Sequence, residues 1–325
     1  MSTIEPRWAV AILAAGKGKR MRSDLPKVLH ELAGRPLVDH VIDLALGVAR
    51  PHDIVVVVGH GAEAVGECVC DRGVTDVLQE PQLGTGDALR VALDGLAHRP
   101  TDRLMVLSGD VPLLRPETLH HLMSAVTDGA AAALLTAELA DPGSYGRVVR
   151  SEEGMVREVV EARDADSSQL AIGEVNAGVY AFDREEVARA VAGLGTDNAQ
   201  SEYYLTDVAA ALSARGLPVA AVQLDDPSEM QGVNTRADLA QAGRVLNEMV
   251  LADLMAAGVS IRDPRNTWVD PRVRVSPETV LEPGVVLKGY CHIGSGAVIG
   301  ANSVLDNAAV GAGERIPPLT FLTGE

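Results

Sequence analysis

The sequence predicts an α/β protein: a mixed, mostly parallel sheet, then a connecting helix and a short parallel β-helix. Two observations carry that expectation, and a third joins them. Continuous Val/Ile/Leu/Ala runs alternate with helical patterns over roughly the first 225 residues, as expected for strands covered on both faces. Val269, Val275, Leu281, Leu287, Ile293, Ile299 and Leu305 recur every six residues, the period of β-helix coils. Between these regions Leu239, Ala242, Leu246, Met249 and Leu254 fall at helical spacing, with Gly258 as the stop.

In order, the strand candidates are residues 9–14, 54–59, 76–79, 104–108, 132–137, 175–182 and 219–223. Helical patterns occupy 36–46, 86–96, 116–126 and 184–192, and the connecting helix 235–257. In the hexapeptide region small or aliphatic residues sit four places after each periodic position: Val273, Thr279, Val285, Cys291, Ala297, Ser303 and Ala309. About two coils are expected. Three domains follow: 1–234, 235–265 and 266–325.

The chain has 325 residues, 47% of them hydrophobic and only 3% aromatic, so its core must be aliphatic. A net charge of −17 argues against a nucleic-acid partner. No apolar run approaches the ~20 residues needed to cross a bilayer, and Glu5-Pro6-Arg7 interrupts any secretory signal pattern. Cys68, Cys70 and Cys291 suit a reducing compartment and structural roles. A cytoplasmic protein is expected.

Against that acidic background, Leu13-Ala14-Ala15-Gly16-Lys17-Gly18-Lys19-Arg20-Met21, with Pro26-Lys27 beyond, concentrates cations after the first strand. Glycines let backbone N–H groups approach phosphate oxygens, and Lys17, Arg20 and Lys27 can neutralise a nucleoside triphosphate. The alternative is a solvated basic turn. The P-loop spacing is absent, and Met21 stands where the dinucleotide fingerprint needs its third glycine. Ser108-Gly109-Asp110 ends another strand. Asp110 is either a loop cap or a ligand for a hard cation shared with phosphates. Gln79-Glu80-Pro81-Gln82-Leu83-Gly84-Thr85-Gly86 offers amides suited to a base edge, or is an ordinary turn before a helix. Tyr145-Gly146-Arg147, Glu161, Asn176 and Asn234 are polar residues near element ends.

Taken together with Gln200-Ser201-Glu202-Tyr203-Tyr204-Leu205-Thr206-Asp207 and Gly232-Val233-Asn234, these motifs resemble bacterial N-acetylglucosamine-1-phosphate uridyltransferase, the nucleotidyltransferase half of a bifunctional enzyme. The resemblance runs from Ala9 through the hexapeptides. It implies a Rossmann-like sheet of the nucleotide-diphospho-sugar transferase type and a left-handed β-helix. It also implies that UTP and N-acetylglucosamine 1-phosphate are converted to UDP-N-acetylglucosamine and pyrophosphate, with Mg²⁺. Leu13, Ala14, Ala15, Gly16, Ser108 and Gly109 would line the nucleotide site, with Arg20 and Lys27 on the triphosphate. Gln79, Gly84 and Thr85 would read uracil, and Asp110 and Asn234 would hold Mg²⁺. Gly146, Glu161, Asn176 and Asn234 would bind the sugar.

Departures from the family pattern are Lys19 for a frequent Thr or Ser, Ser108 before Gly-Asp, and Arg163 for a common Lys, which could alter sugar selectivity. The sequence stops at Phe321-Leu322-Thr323-Gly324-Glu325, where the family's Leu-Arg-Pro-Gly motif begins. His292 reads as an exposed coil residue. Acetyltransferase activity is therefore expected to be absent. A homotrimer through the hexapeptides is expected, since isolated solenoid repeats bury little alone. The alternatives are a nucleotidyltransferase for another hexose 1-phosphate or dTTP, and a non-catalytic sugar-nucleotide scaffold.

Overall fold

A computed structural model describes residues 6–324. Glu5 and the outer limits of the first and last expected domains lie outside the described residues. Along the chain come β1 (Trp8–Leu13), the short pair β2 (Glu31–Leu32) and β3 (Arg35–Pro36), α1 (Leu37–Leu46), β4 (Ile54–Val58), α2 (Ala62–Cys70) and β5 (Thr75–Leu78). Then follow α3 (Thr85–Gly95), β6 (Arg103–Ser108), α4 (Pro116–Thr127), β7 (Ala132–Glu138), β8 (Arg147–Arg150), β9 (Val156–Val160) and α5 (Ser167–Leu170). The last elements before the hexapeptides are β10 (Glu174–Asp183), α6 (Arg184–Val191), α7 (Asp207–Ala214), β11 (Val219–Gln223) and α8 (Arg236–Ala256). The chain forms two compact units, residues 6–30 with 36–235, and residues 31–35 with 236–324.

The first unit is built on a sheet of order β11-β7-β10-β6-β1-β4-β5. Its neighbours are parallel except at β10, which runs antiparallel to both β6 and β7. Alternation along each strand divides the core. Val10, Ile12, Val56 and Leu107 face one layer with α1, α2 and α4. Ala9, Ala11, Val57 and Val106 face the other, with α3, α6 and α7. Every residue of β4 is buried, which is why its sequence is a continuous aliphatic run rather than an alternation. All seven strand candidates of this unit form strands. The antiparallel β8 and β9, and helices α2, α5 and α7, were not anticipated.

In the second unit the hexapeptides wind as a parallel β-helix, consistent with the left-handed form. One face stacks Ser260–Ile261, Val280–Leu281, Val298–Ile299 and Arg315–Ile316. A second stacks Trp268–Val269, Val286–Lys288, Val304–Asp306 and Phe321–Thr323, and a third Arg274–Val275, His292–Ile293 and Ala309–Val310. The stack therefore exceeds three coils, where the sequence suggested two. The shortfall arose because the first strand begins at Ser260 and further strands follow Leu305.

The four-place offset at Ala309 does not mark an inward position. Val286 pairs with Val304 at a spacing of eighteen residues, but His292 pairs with Ala309 at seventeen. This shortened coil turns at Asn307, whose φ is 50°. Ala308 consequently points inward at 3% exposure while Ala309 faces solvent. Leu281, Leu287, Ile293, Ile299, Leu305 and Cys291 fill the β-helix interior with Leu251 of α8, and His292 is exposed as expected. No described helix is long and apolar enough to cross a membrane.

Candidate active site

Three parallel strands deliver their C-terminal ends to one cleft of about 510 Å³ in the first unit. Leu13, Ala14, Ala15, Gly16, Lys17, Lys19 and Lys27 line it from the turn after β1. Gln79, Gln82, Gly84 and Thr85 line it from the turn after β5, and Ser108 and Asp110 from the turn after β6. Hydrogen bonds between the turns fix their spacing: Ala14 N–H donates to Val57 O (2.9 Å), and Gly109 N–H to Leu13 O (2.9 Å). Gly109 is tightly packed, since a Cβ there would lie 3.2 Å from both Ala14 Cβ and Leu13 O.

Gly18, not singled out as a site residue from sequence, has a structural task in the cationic turn. Its φ of 56° is left-handed, and a Cβ on it would sit 2.6 Å from Lys27 Cβ. Only glycine lets the chain return so closely that Lys27 comes beneath the turn. Gly16 differs, because a Cβ there would meet nothing within 4 Å. Its surroundings are open space that a ligand can fill. Lys17 and Lys19 reach the cleft, whereas Arg20, exposed on the short helix Lys19–Met21, is not among its lining residues.

At the inner end, the Lys27 ammonium donates to Asp110 Oδ2 and to Asn234 Oδ1 (3.1 Å). Lys27 and Asp110 are mostly buried, with side chains 14% and 17% exposed. Val233 N–H donates to Asp110 O (2.8 Å), which sets Asn234 beside the aspartate. Gly232 adjoins this corner, where a Cβ would come 3.7 Å from Asp110 Oδ2, an ordinary contact distance. Three motifs separated by up to 207 residues thus meet at one nitrogen.

Gln79 is 3% exposed, and its Nε2 donates to Gly84 O (2.9 Å) and Asp87 Oδ2 (2.8 Å). Both amide hydrogens are committed, so the oxygen remains for a ligand. Asp87 was not recognised from sequence; the signal was an acidic residue in the first turn of α3. The Thr85 hydroxyl accepts from Leu205 N–H (3.0 Å). Gly86 N–H donates to Tyr203 O (2.7 Å) and Tyr203 N–H to Leu83 O (2.9 Å). Residues 202–206 therefore strap the turn in place, and Glu202 adds a carboxylate to the cleft.

The same strap reaches a second polar group. Thr206 Oγ1 donates to Glu161 Oε1 (3.1 Å), one residue after Leu205 meets Thr85. Asn176 N–H donates to Gly146 O (2.9 Å), and a Cβ on Gly146 would lie 3.7 Å from Glu161 Oε1. Gly146, Glu161 and Thr206 thus lie together, and Asn176 adjoins Gly146. Asn176 Nδ2 also donates to Tyr180 OH (2.6 Å), and Asn176 Oδ1 accepts from Gly178 N–H (3.1 Å). Burial pushes the Glu161 carboxyl above its ordinary range; Asp164 and Asp207 add to the rise and the Thr206 bond opposes it. Burial likewise pushes the Tyr180 phenol up. Arg163 lies outside this group, donating to Gln200 Oε1 (2.8 Å) on the surface.

A larger cavity, about 800 Å³, lies within the second unit beside Asn247, Trp268, Asp270 and Arg272. Its buried polar groups are spent on one another: Asp270 on Arg272, and Asn247 on the backbone of Thr267 and Val269. The cation-lined cleft of the first unit is the better candidate for chemistry.

Residues 10–168 match the MobA-like NTP transferase domain. The chain is 45% identical over 317 residues to the bifunctional protein GlmU of Syntrophotalea carbinolica, covering 97% of this chain and 68% of that protein. It is 44% identical to the proteins of that name from Streptomyces avermitilis and Burkholderia thailandensis, with 97% of this chain covered in each case and 66% and 69% of theirs. The chain thus spans about two thirds of the length of these relatives. A match along nearly its whole length, with the transferase domain running through the cleft, means that this chain belongs to the GlmU family and is a sugar-1-phosphate nucleotidyltransferase.

Proposed function

We propose that the chain joins UTP to N-acetylglucosamine 1-phosphate, forming UDP-N-acetylglucosamine and pyrophosphate, with Mg²⁺ as its metal. The observation that carries this reading is the meeting of Lys27, Asp110 and Asn234 beside a cleft lined by Gln79. An oxygen of the sugar phosphate attacks the α-phosphorus, and the bond from that phosphorus to the β-phosphate bridging oxygen breaks. Pyrophosphate takes the bonding pair. The nucleophile is already anionic, so no general base is needed, and the cleft supplies orientation and positive charge.

Lys27 and Lys17 neutralise the phosphates, and Arg20, which lies outside the lining of the cleft here, turns in to join them when the triphosphate is bound. Leu13, Ala14, Ala15, Gly16, Ser108 and Gly109 form the floor beneath nucleoside and phosphates. The free Gln79 oxygen suits a base that presents a ring N–H, as uracil does and cytosine does not. Gly84 and Thr85 shape that subsite. Gly146, Glu161, Asn176 and Asn234 take the acetylated sugar, Glu161 as a hydrogen-bond acceptor.

Asp110 and Asn234 suit Mg²⁺ on the chemistry of their donors: two hard oxygens converge where a cation, the Lys27 ammonium, already stands. Among the described residues no group of three or more His, Cys, Asp or Glu is placed to hold a metal. An ion held here by Asp110 and Asn234 would be completed by substrate phosphates. When bound there, Mg²⁺ would supply charge neutralisation on the phosphates.

Pyrophosphate release across a panel of nucleotides and sugar 1-phosphates tests the specificity. Turnover highest with UTP and N-acetylglucosamine 1-phosphate supports the reading. Preference for dTTP or another hexose 1-phosphate replaces it with a different specificity. A homotrimer through the β-helix belongs to the same proposal, supported by exposed Trp268 and Phe321 on one face.

A further inference from the structure

We propose that the Lys27 ammonium is a resident occupant of the divalent-cation position, and that the metal competes with it until a nucleotide draws Lys27 away. The inference rests on the assignment of Asp110 and Asn234 as metal ligands. In the structure both oxygens are already used by one nitrogen, the Lys27 Nζ, at 3.1 Å from Asn234 Oδ1 and in closer contact with Asp110 Oδ2. A magnesium ion needs oxygen contacts of about 2.0–2.1 Å. It cannot share that position with an ammonium, and the two charges would repel at such a separation.

The lysine is held in a way that allows exchange. Its backbone is pinned: the left-handed Gly18 passes against Lys27 Cβ, and Pro26 packs on Gly61, where a Cβ would come 2.4 Å from the proline ring. Beyond Cβ the side chain is a flexible stem with a mobile charge. Lys17 and Lys19 line the same cleft, and among the described residues neither forms an ion pair. A triphosphate entering this cleft offers Lys27 several new anionic oxygens in exchange for Asp110.

The exchange keeps Asp110 compensated at every stage, by the ammonium before substrate binds and by the metal afterwards. It makes metal and nucleotide binding mutually dependent, each raising the affinity for the other by one common factor. The free protein should hold metal weakly.

Mn²⁺ serves as the probe, its free concentration read by electron paramagnetic resonance with the full chain and no nucleotide. Lys27→Met should bind Mn²⁺ roughly 10- to 100-fold more tightly than wild type, the weight of one charge-assisted hydrogen bond. Adding α,β-methylene-UTP should narrow that gap. Circular dichroism checks folding, and Lys27→Gln repeats the titration should the Met variant not fold. Equal Mn²⁺ affinity in wild type and Lys27→Met, with Asp110→Asn weakening both, would overturn the exchange and leave the metal ligands standing. If Asp110→Asn changes Mn²⁺ binding in neither background, with or without nucleotide, the ligand assignment fails and the exchange fails with it.

Discussion

At the scale of single residues, the division between legible and hidden follows what each side chain acts on. Lys27, Asp110 and Gln79 stand in motifs whose residue types suit phosphate, metal or base, so each could be nominated from the sequence, whereas Asn234 was nominated only through the family resemblance. Asp87 and Gly18 serve other protein groups: one fixes the Gln79 amide and the other admits Lys27. Nothing in their local sequence distinguishes such service from ordinary turn and helix chemistry. Glu161 carries a prediction that joins both kinds of role. Its pKa is raised by burial, so its stability contribution is present below the ordinary carboxylate pKa and is lost as pH rises through the raised value. Glu161→Gln should therefore raise the thermal midpoint near neutral pH while increasing KM for the sugar phosphate. In wild type, that KM should fall as pH rises through the same range, and the variant should lack this dependence. A variant that keeps the pH dependence removes Glu161 from the sugar site.

Among elements, β4 was read from its aliphatic run and the four-residue β5 was read as well, whereas β8 and β9, which carry arginine and glutamate, were missed. The continuous aliphatic run of β4 has few other structures open to it, whereas β8 begins and ends on arginine and β9 contains Arg157 and Glu158. The two form a hairpin, with Arg147 opposite Val160, that joins the sheet through Arg147 opposite Val175 of β10. The turn after β5 depends on distant chain. Gly84 has a φ of 111°, and a Cβ there would lie 2.5 Å from Tyr203 O. Gly84→Ala should cost about 1–3 kcal/mol through backbone strain and displace residues 202–206. Urea denaturation should report the lost stability, and steady-state kinetics a raised KM for the nucleotide with a smaller change in kcat. Unchanged nucleotide KM would show that the strap does not position the base site.

On the scale of the whole molecule, the period of six identified the β-helix, but counting its coils required knowing where the period changes. A one-residue deletion after Leu305 leaves the composition of the repeat intact and exchanges the inward position from Ala309 to Ala308. Ala308→Asp should destabilise the protein by on the order of 3 kcal/mol or more, as an unpaired buried charge, whereas Ala309→Asp should be nearly neutral. Thermal denaturation of the two variants separates these outcomes, and equal effects would contradict the shortened coil. Analytical ultracentrifugation checks the assembly: a trimer is expected, and a monomer at micromolar concentration would refute it.

Lys27, Asp110 and Asn234 are proposed to mark the centre of a uridylyl transfer. Phosphorus NMR of the protein mixed with UTP, N-acetylglucosamine 1-phosphate and Mg²⁺ observes that transfer directly. The UTP resonances should give way to those of UDP-N-acetylglucosamine and pyrophosphate in equal amounts, and Asp110→Ala, still folded, should leave the spectrum unchanged. Release of inorganic phosphate in place of pyrophosphate, or conversion undiminished in Asp110→Ala, would contradict that assignment.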